Sequence, residues 1–332
     1  MFQKAEPVGC HSGRCRAGVE KVDTISRFFV AARPEGFSMT RCHAALILAL
    51  MLLPVANPAS LSAEEPFLRF LDDIGLAERH GPERDPYEER IETERHDFTQ
   101  STVTVGKGVF QIEGGYTFFY KDEDAEIETS HSLPEMMLRY GLTEDIEVRL
   151  KTDYIWRFVD EADNVDGAED MQLALKLGMT EQNCLIPESA LELGITVPTG
   201  GSAWSTERVR FGMDFIYGWE LTETLKLYGS TGMFENAFGD FGFLPEEPAG
   251  DDFAVTTQSA AIGLEVTERS TMYIEYYGIF SSGLDDNITV GIFNIGVDFY
   301  ATDNLVFDIR SGTGLTDDSD DFFIGVGGGY RF

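Results

Sequence analysis

The sequence predicts an all-β protein, a transmembrane antiparallel up-and-down β-barrel of about twelve strands preceded by a signal peptide. Three observations carry this reading. An export signal stands near the front, apolar and polar residues alternate with period two from about Val103 to the last residue, and short Thr-acid turns alternate with long acidic or glycine-rich loops.

The export signal is "MTRCHAALILALMLLPVANPASLSAEE". Met39 serves as start residue, Arg41 follows, an apolar stretch runs from Ala44 to Leu53, and cleavage is expected after Ser62 or Ala63. The apolar stretch is too short to span a membrane as a helix, and it has no polar face to turn to water. Residues 1–38 are therefore expected to be an upstream extension before the true start. Their Cys10 and Cys15 have a metal-ligand spacing, but no second pair supports it. Residues 39–63 are the signal peptide, and 64–96 a charged periplasmic segment with a short helix over Phe67, Leu68, Phe70, Leu71, Ile74 and Leu76. Residues 97–332 are the barrel.

Removing residues 1–63 takes away 7 of 25 basic and 4 of 58 acidic side chains, leaving 18 against 54 and a net charge of −36. That balance argues against a nucleic-acid partner. The remaining chain keeps one cysteine, Cys184, so it has no disulfide framework. No later stretch approaches the length of a membrane-spanning helix, so any crossing is made by strands.

The expected strands are 109–120, 130–140, 146–158, 170–179, 188–197, 209–220, 224–234, 254–266, 271–280, 288–300, 304–312 and 322–332. The clearest is "IEVRLKTDYIWRF": Ile146, Val148, Leu150, Thr152, Tyr154, Trp156 and Phe158 share one face, and Glu147, Arg149, Lys151, Asp153, Ile155 and Arg157 the other. Phe110 to Tyr120, Met171 to Gly178 and Val209 to Trp219 repeat the pattern, with aromatics near the ends of the apolar faces, where a membrane barrel carries its interfacial girdles. A Thr-acid pair recurs at Thr143, Thr180, Thr222, Thr267 and Thr302, in steps of 37, 42, 45 and 35 residues. A repeat of that length is two strands with one short turn and one long loop. The terminal "DFFIGVGGGYRF" alternates to the last residue, as a strand must if it closes the barrel against the first strand and leaves no edge in lipid. Tyr330 and Phe332 also resemble the signal that barrel-assembly machinery reads, and outer-membrane lipid is the other expected partner.

The stretches "DFTQSTVTVGKGVFQIEGGYTFFY" (97–120) and "SLPEMMLRYGLTEDIEVRL" (132–150) resemble a family of bacterial outer-membrane proteins assigned to transport in the meta-pathway of phenol degradation. Asp97-Phe98-Thr99, Val105 to Gly108, Gln111 to Glu113 and Leu138 to Thr143 carry the likeness, and His96 stands where that family usually has proline. The resemblance implies an outer-membrane location and export or uptake of aromatic compounds.

Parity assigns the polar face to the lumen. It carries Arg139, Arg149, Lys151, Arg157, Lys176, Arg210, Lys226, Arg310 and Arg331, with Glu113, Glu135, Glu147, Asp153, Glu192, Asp214, Glu275, Asp298 and Asp308. Such a lining can be a packed salt-bridge plug or the wall of a narrow wet pore. Twelve strands enclose more than side chains alone fill, and Gly325, Gly327 and Gly329 add volume, which favours a small pore. His131 is the one histidine within the strands; parity sets it on the polar side with Glu135 and Arg139, and its neighbours Ser130 and Ser132 face away from it, so no nucleophile–base pair forms. The loop carboxylates Asp122, Asp124, Asp317, Asp318 and Asp320 have the oxygen chemistry for a weak divalent-cation site without an EF-hand spacing, and nothing requires a cofactor. The expected function is passive passage of small solutes through a charge-lined lumen under an acidic mouth. A closed barrel with a structural or surface-binding role is the alternative, and a lipid-active enzyme fits less well.

Overall fold

The computed structural model describes residues 85–95, 98–123, 126–160, 164–205, 209–233, 254–282 and 287–332. The expected upstream extension, signal peptide and short helix lie outside these residues, as do Asp124 and the loop over 235–252.

Alternating sequence becomes strand throughout. The strands are β1 (Phe110–Glu123), β2 (Glu126–Gly141), β3 (Ile146–Thr152), β4 (Tyr154–Val159), β5 (Val165–Ala168), β6 (Met171–Thr180), β7 (Glu188–Val197), β8 (Arg210–Thr222), β9 (Leu225–Met233), β10 (Ala254–Thr267), β11 (Ser270–Ser282), β12 (Thr289–Thr302), β13 (Leu305–Gly314) and β14 (Phe322–Arg331). Two staves are interrupted. β3 and β4 follow one another across Asp153 and both pair with β2, while β5 and β6 pair with β4 and β3 in turn. Counting each broken pair once leaves twelve staves, all antiparallel, and β14 pairs with β1 from Gln111 opposite Arg331 to Tyr120 opposite Phe322. The sheet is closed, so no row of unpaired amides faces lipid.

β1 and β2 run further into the expected 121–129 loop than the alternation alone indicates, because Lys121 stands opposite Glu128 and opposite charges support the pair. Five turns and both chain ends of the barrel lie at one rim, the periplasmic one, and six connections lie at the other, of which the β1–β2 connection, expected as a long loop, is only two residues.

The two faces separate as a membrane barrel requires. Phe299, Phe307, Ile309, Ile324, Val326 and Tyr330 are exposed outward, whereas Glu113, Glu135, Arg139, Glu147 and Lys176 are buried inside. One expected orientation is overturned. Between Gly115 opposite Glu135 and Thr117 opposite Ser132, β2 spends two residues, Leu133 and Pro134, where β1 spends one. This bulge reverses the parity of everything before it in β2. His131 therefore leaves the Glu135–Arg139 face and joins Tyr116, Phe118 and Phe158: Tyr116 Oη lies 2.8 Å from its Nδ1, and its ring meets Phe118 at 5.2 Å and Phe158 edge-on at 5.7 Å. Pro134 suits the site because it has no N–H to leave unpaired.

Val326 lies mid-strand on the lipid face. Val326→Arg is expected to cost about 2–4 kcal/mol in reversible unfolding from lipid bilayers, the range for a cation at the bilayer midplane.

Candidate functional site

The lumen at its periplasmic end is not lined by strands alone. Residues 85–95 and 98–109, which precede β1, enter from the periplasmic rim, cross the interior and return to the same rim. Ile91 N–H donates to Asp303 O at 2.8 Å on entry, and Gly108 N–H donates to Gly141 O at 2.8 Å on exit. Within the segment expected to be periplasmic, Ile91, Thr93, Glu94 and Arg95 are buried.

Each step of this strap meets a charge carried by the wall. Glu94 lies 3.0 Å from Arg139, 2.7 Å from Arg149 and 2.7 Å from Lys176, cations from three different strands. Its neighbour Arg95 is bridged by Glu135 of β2 and Asp308 of β13. The backbone N–H groups of Glu94 and Arg95 both donate to Glu113 Oε2 at 2.8 Å. Further along, the Phe98 and Thr99 N–H groups donate to Glu275, whose carboxylate also accepts from Asn294 at 3.1 Å. Gln100 Oε1 accepts from Arg149 at 2.6 Å and Thr102 Oγ1 donates to Glu188 at 2.7 Å. Lys176 Nζ donates to the Ser101 and Val103 carbonyls, and Val105 N–H donates to Glu147 Oε2 at 2.9 Å. Arg139 and Arg149 share Glu147 at 2.6 and 2.7 Å. Every buried charge in this belt is answered, which is the condition for burying it at all.

The glycines read as pore volume are filled. A Cβ on Gly327 or Gly115 would collide with the Arg95 guanidinium, one on Gly329 with Thr93, and one on Gly325 with Arg310 and Thr117. The expected free space is taken at Gly327 and Gly329 by the strap and at Gly325 by side chains of the wall.

Other predicted residues sit around this belt. Arg310 is fully buried, donates to Thr117 Oγ1 at 2.8 Å and stands over the rings of Phe98 and Phe323. Arg331 closes the periplasmic rim by donating to the Pro86 and Glu89 carbonyls at 2.8 Å each. Lys151 is 3.7 Å from Asp153, and Asp214 and Asp298 are buried. Arg210 is half-buried at the outer end of β8. Lys226 is half-exposed between Glu220 and Glu92 at 3.1 and 3.5 Å, and Arg157 pairs with Glu128 at 2.7 Å while 43% of its side chain stays exposed. At the seam, Phe332 N–H donates to Phe110 O at 2.9 Å, its ring meets Tyr330 at 4.8 Å, and both rings face outward.

Above the belt the interior turns apolar. Phe119, Val255, Tyr277, Ile279, Val290, Ile292 and Phe323, all near the outer ends of their strands, form one cluster. Phe98 of the strap stacks on Tyr277 at 4.8 Å and meets Phe323 edge-on at 6.0 Å. Between the two zones lies a small cavity of about 40 Å³ with Phe98, Met137 and Tyr277 among its apolar walls and Gln100, Arg149, Lys151, Glu192 and Asp214 among its polar ones.

Among the described residues, no group of three or more His, Cys, Asp or Glu side chains is placed to hold a metal ion. The acidic run at 317–321 makes strand-end hydrogen bonds: Asp318 accepts from Thr289 N–H at 2.6 Å and Asp321 from Asp122 N–H at 2.7 Å. Burial and the neighbouring Glu128 push the Asp320 carboxyl up to about 7, and a carboxyl that holds its proton near neutrality is a poor cation ligand.

The wall and its occupied lumen define an outer-membrane β-barrel. More narrowly, the chain belongs to the family described as "Putative MetA-pathway of phenol degradation", whose model matches residues 93–332 and so takes in part of the strap. It is similar to the crystal structure of an outer membrane channel from Pseudomonas putida F1, with a TM-score of 0.56 and 13% identity over 73% of this chain and 100% of that one. The translocator domain of the autotransporter NalP from Neisseria meningitidis gives 0.43 and 10% over 68% and 89%, and the KdgM porin 0.40 and 10% over 67% and 99%. The first of these shows a shared fold. No curated protein matches the chain.

Glu147→Ala is expected to cost about 3 kcal/mol in urea unfolding, because it removes the carboxylate that two buried guanidinium groups share and leaves each with fewer partners. Arg157→Ala, at the wet mouth, should cost under about 1 kcal/mol. Asp320 supplies a pH dependence of defined sign. Its folded value lies above that of a free carboxyl, so the packing of residues 315–321 is favoured at low pH and weakens as pH rises from the ordinary carboxylate range to about 7. Corrected amide exchange at Leu315 and Ser319 should be slower at pH 5 than at pH 8, and Asp320→Asn should flatten the difference.

Proposed function

We propose that this protein is a passive outer-membrane channel for small solutes, aromatic compounds among them. The observation that carries the reading is the zoned lumen. A closed wall encloses a charged belt, an apolar cluster and, between them, a small cavity of about 40 Å³. A ring-shaped solute with one polar edge meets an aromatic shelf from Phe98 and Tyr277 and donors and acceptors from Arg149, Lys151, Glu192 and Asp214. Family membership points the same way, since the family's description refers to phenol degradation.

A catalytic role has no such support. Among the described residues, the one hydrogen-bond partner of His131 is the Tyr116 phenol, and the pair lies on the lipid face with no serine, threonine or cysteine nucleophile bonded to it. Tyr330 and Phe332, outward at the seam, have the exposure that recognition by assembly machinery requires.

The test is conductance of the refolded protein in a planar bilayer, together with uptake of small aromatic and sugar solutes into proteoliposomes. Discrete steps and faster entry of the aromatic solutes are expected. A barrel that inserts, shows heat-modifiable mobility on gels and stays silent would leave the closed structural role in its place.

A further inference from the structure

We infer that the strap is a withdrawable plug, seated by Arg95 and released toward the periplasm, and that the channel conducts when it leaves its seat. The inference rests on the channel reading above.

Three features point to it. The strap belongs to no strand of the wall, and both its limbs meet the periplasmic rim: the entering limb through Arg331 on Pro86 and Glu89 and through Ile91 on Asp303, the leaving limb at Gly108 and Gly141. A loop inserted from one end can leave by that end without breaking a wall hydrogen bond. Its deepest described side chain, Phe98, touches the outer apolar cluster, so the strap spans the charged zone and stops where the apolar one begins.

The second feature is the seat. The Arg95 guanidinium lies against Gly115 of β1 and Gly327 of β14, where a Cβ on either would collide with it, between Glu135 and Asp308. Two adjoining strands have given up side chains at one level to admit one guanidinium. This fit locks the position of the strap without any covalent or strand-type attachment.

The third is the kind of contact. The grip consists almost wholly of ion pairs and hydrogen bonds, and on withdrawal water can enter and solvate both halves of each pair. Exchanging a protein partner for water costs far less than leaving a group buried and bare. A plug gripped mainly by apolar burial would have no such exchange; here the apolar hold is limited to Phe98 stacked on Tyr277 and the buried Ile91 and Val105.

Two cysteine pairs can tether the strap to the wall. Thr93 abuts the position a Cβ takes on Gly329, and a Cβ on Gly218 would lie 3.7 Å from Thr102 Cγ2, so Thr93→Cys with Gly329→Cys and Thr102→Cys with Gly218→Cys suit disulfide formation on the two limbs. Both are made in a Cys184→Ser background, and each protein is recorded oxidised and then reduced in the same bilayer, so its own reduced form controls for folding. The expected result is loss of conductance steps on oxidation, recovery on reduction, and more frequent openings for Arg95→Gln. Equal conductance in the oxidised and reduced forms overturns the plug and leaves the channel reading standing. Silence of the reduced pairs and of Arg95→Gln, in barrels that insert and stay folded, overturns both.

Discussion

Glu94 and Arg95 are neighbours of opposite charge, and in extended chain neighbouring side chains point apart. Glu94 reaches Arg139, Arg149 and Lys176, while Arg95 reaches Glu135 and Asp308. Removing a charge from water is tolerated only where partners replace the water, so each wall group in this belt depends on the strap, and the strap on the wall. The glycines on β1 and β14 follow from the same constraint, because the guanidinium needs room to reach its carboxylates. So does the placement of Glu113, which accepts the two amides that this turn of the strap exposes.

The size of the barrel explains why a strap is needed. Eight staves can be filled by their own side chains, and sixteen leave an open channel. Twelve fall between, so at the periplasmic level an added segment occupies what the wall cannot. Nearer the outer rim the wall fills part of its own interior with Phe119, Tyr277, Ile279, Ile292 and Phe323, and the charged lining gives way to an apolar one.

The wall could be read from the sequence because a strand carries its orientation in a period of two, and lipid on one side enforces it. That logic located the staves. It failed at His131, since one extra residue at Leu133-Pro134 leaves the alternation intact on both sides while reversing its meaning. It also failed for the strap. Residues 85–95 read as a solvated charge run because the partners that bury them come from β2, β3, β6 and β13, far away in sequence. The available signal lay just downstream, where Asp97-Phe98-Thr99 already carried the family likeness although these residues precede the first strand. Gly325, Gly327 and Gly329 were legible as space, but sequence cannot say whether space is filled by solvent or by another part of the chain.

The zoning of the lumen bears on selectivity. An open charged pore would favour small ions and hydrated solutes, because an apolar molecule gains nothing by displacing water from carboxylates and guanidinium groups. In this barrel the belt is already engaged: Arg139 and Arg149 are held by Glu94, Glu113, Glu147 and Glu192, leaving little free charge to attract an ion. Near the strap tip the rings of Phe98 and Tyr277 and the side chain of Met137 stand beside polar groups of the belt in one small cavity. The strap thus does more than narrow the passage, since it neutralises the belt and presents Phe98 beside Tyr277 where the charged lining gives way to the apolar one.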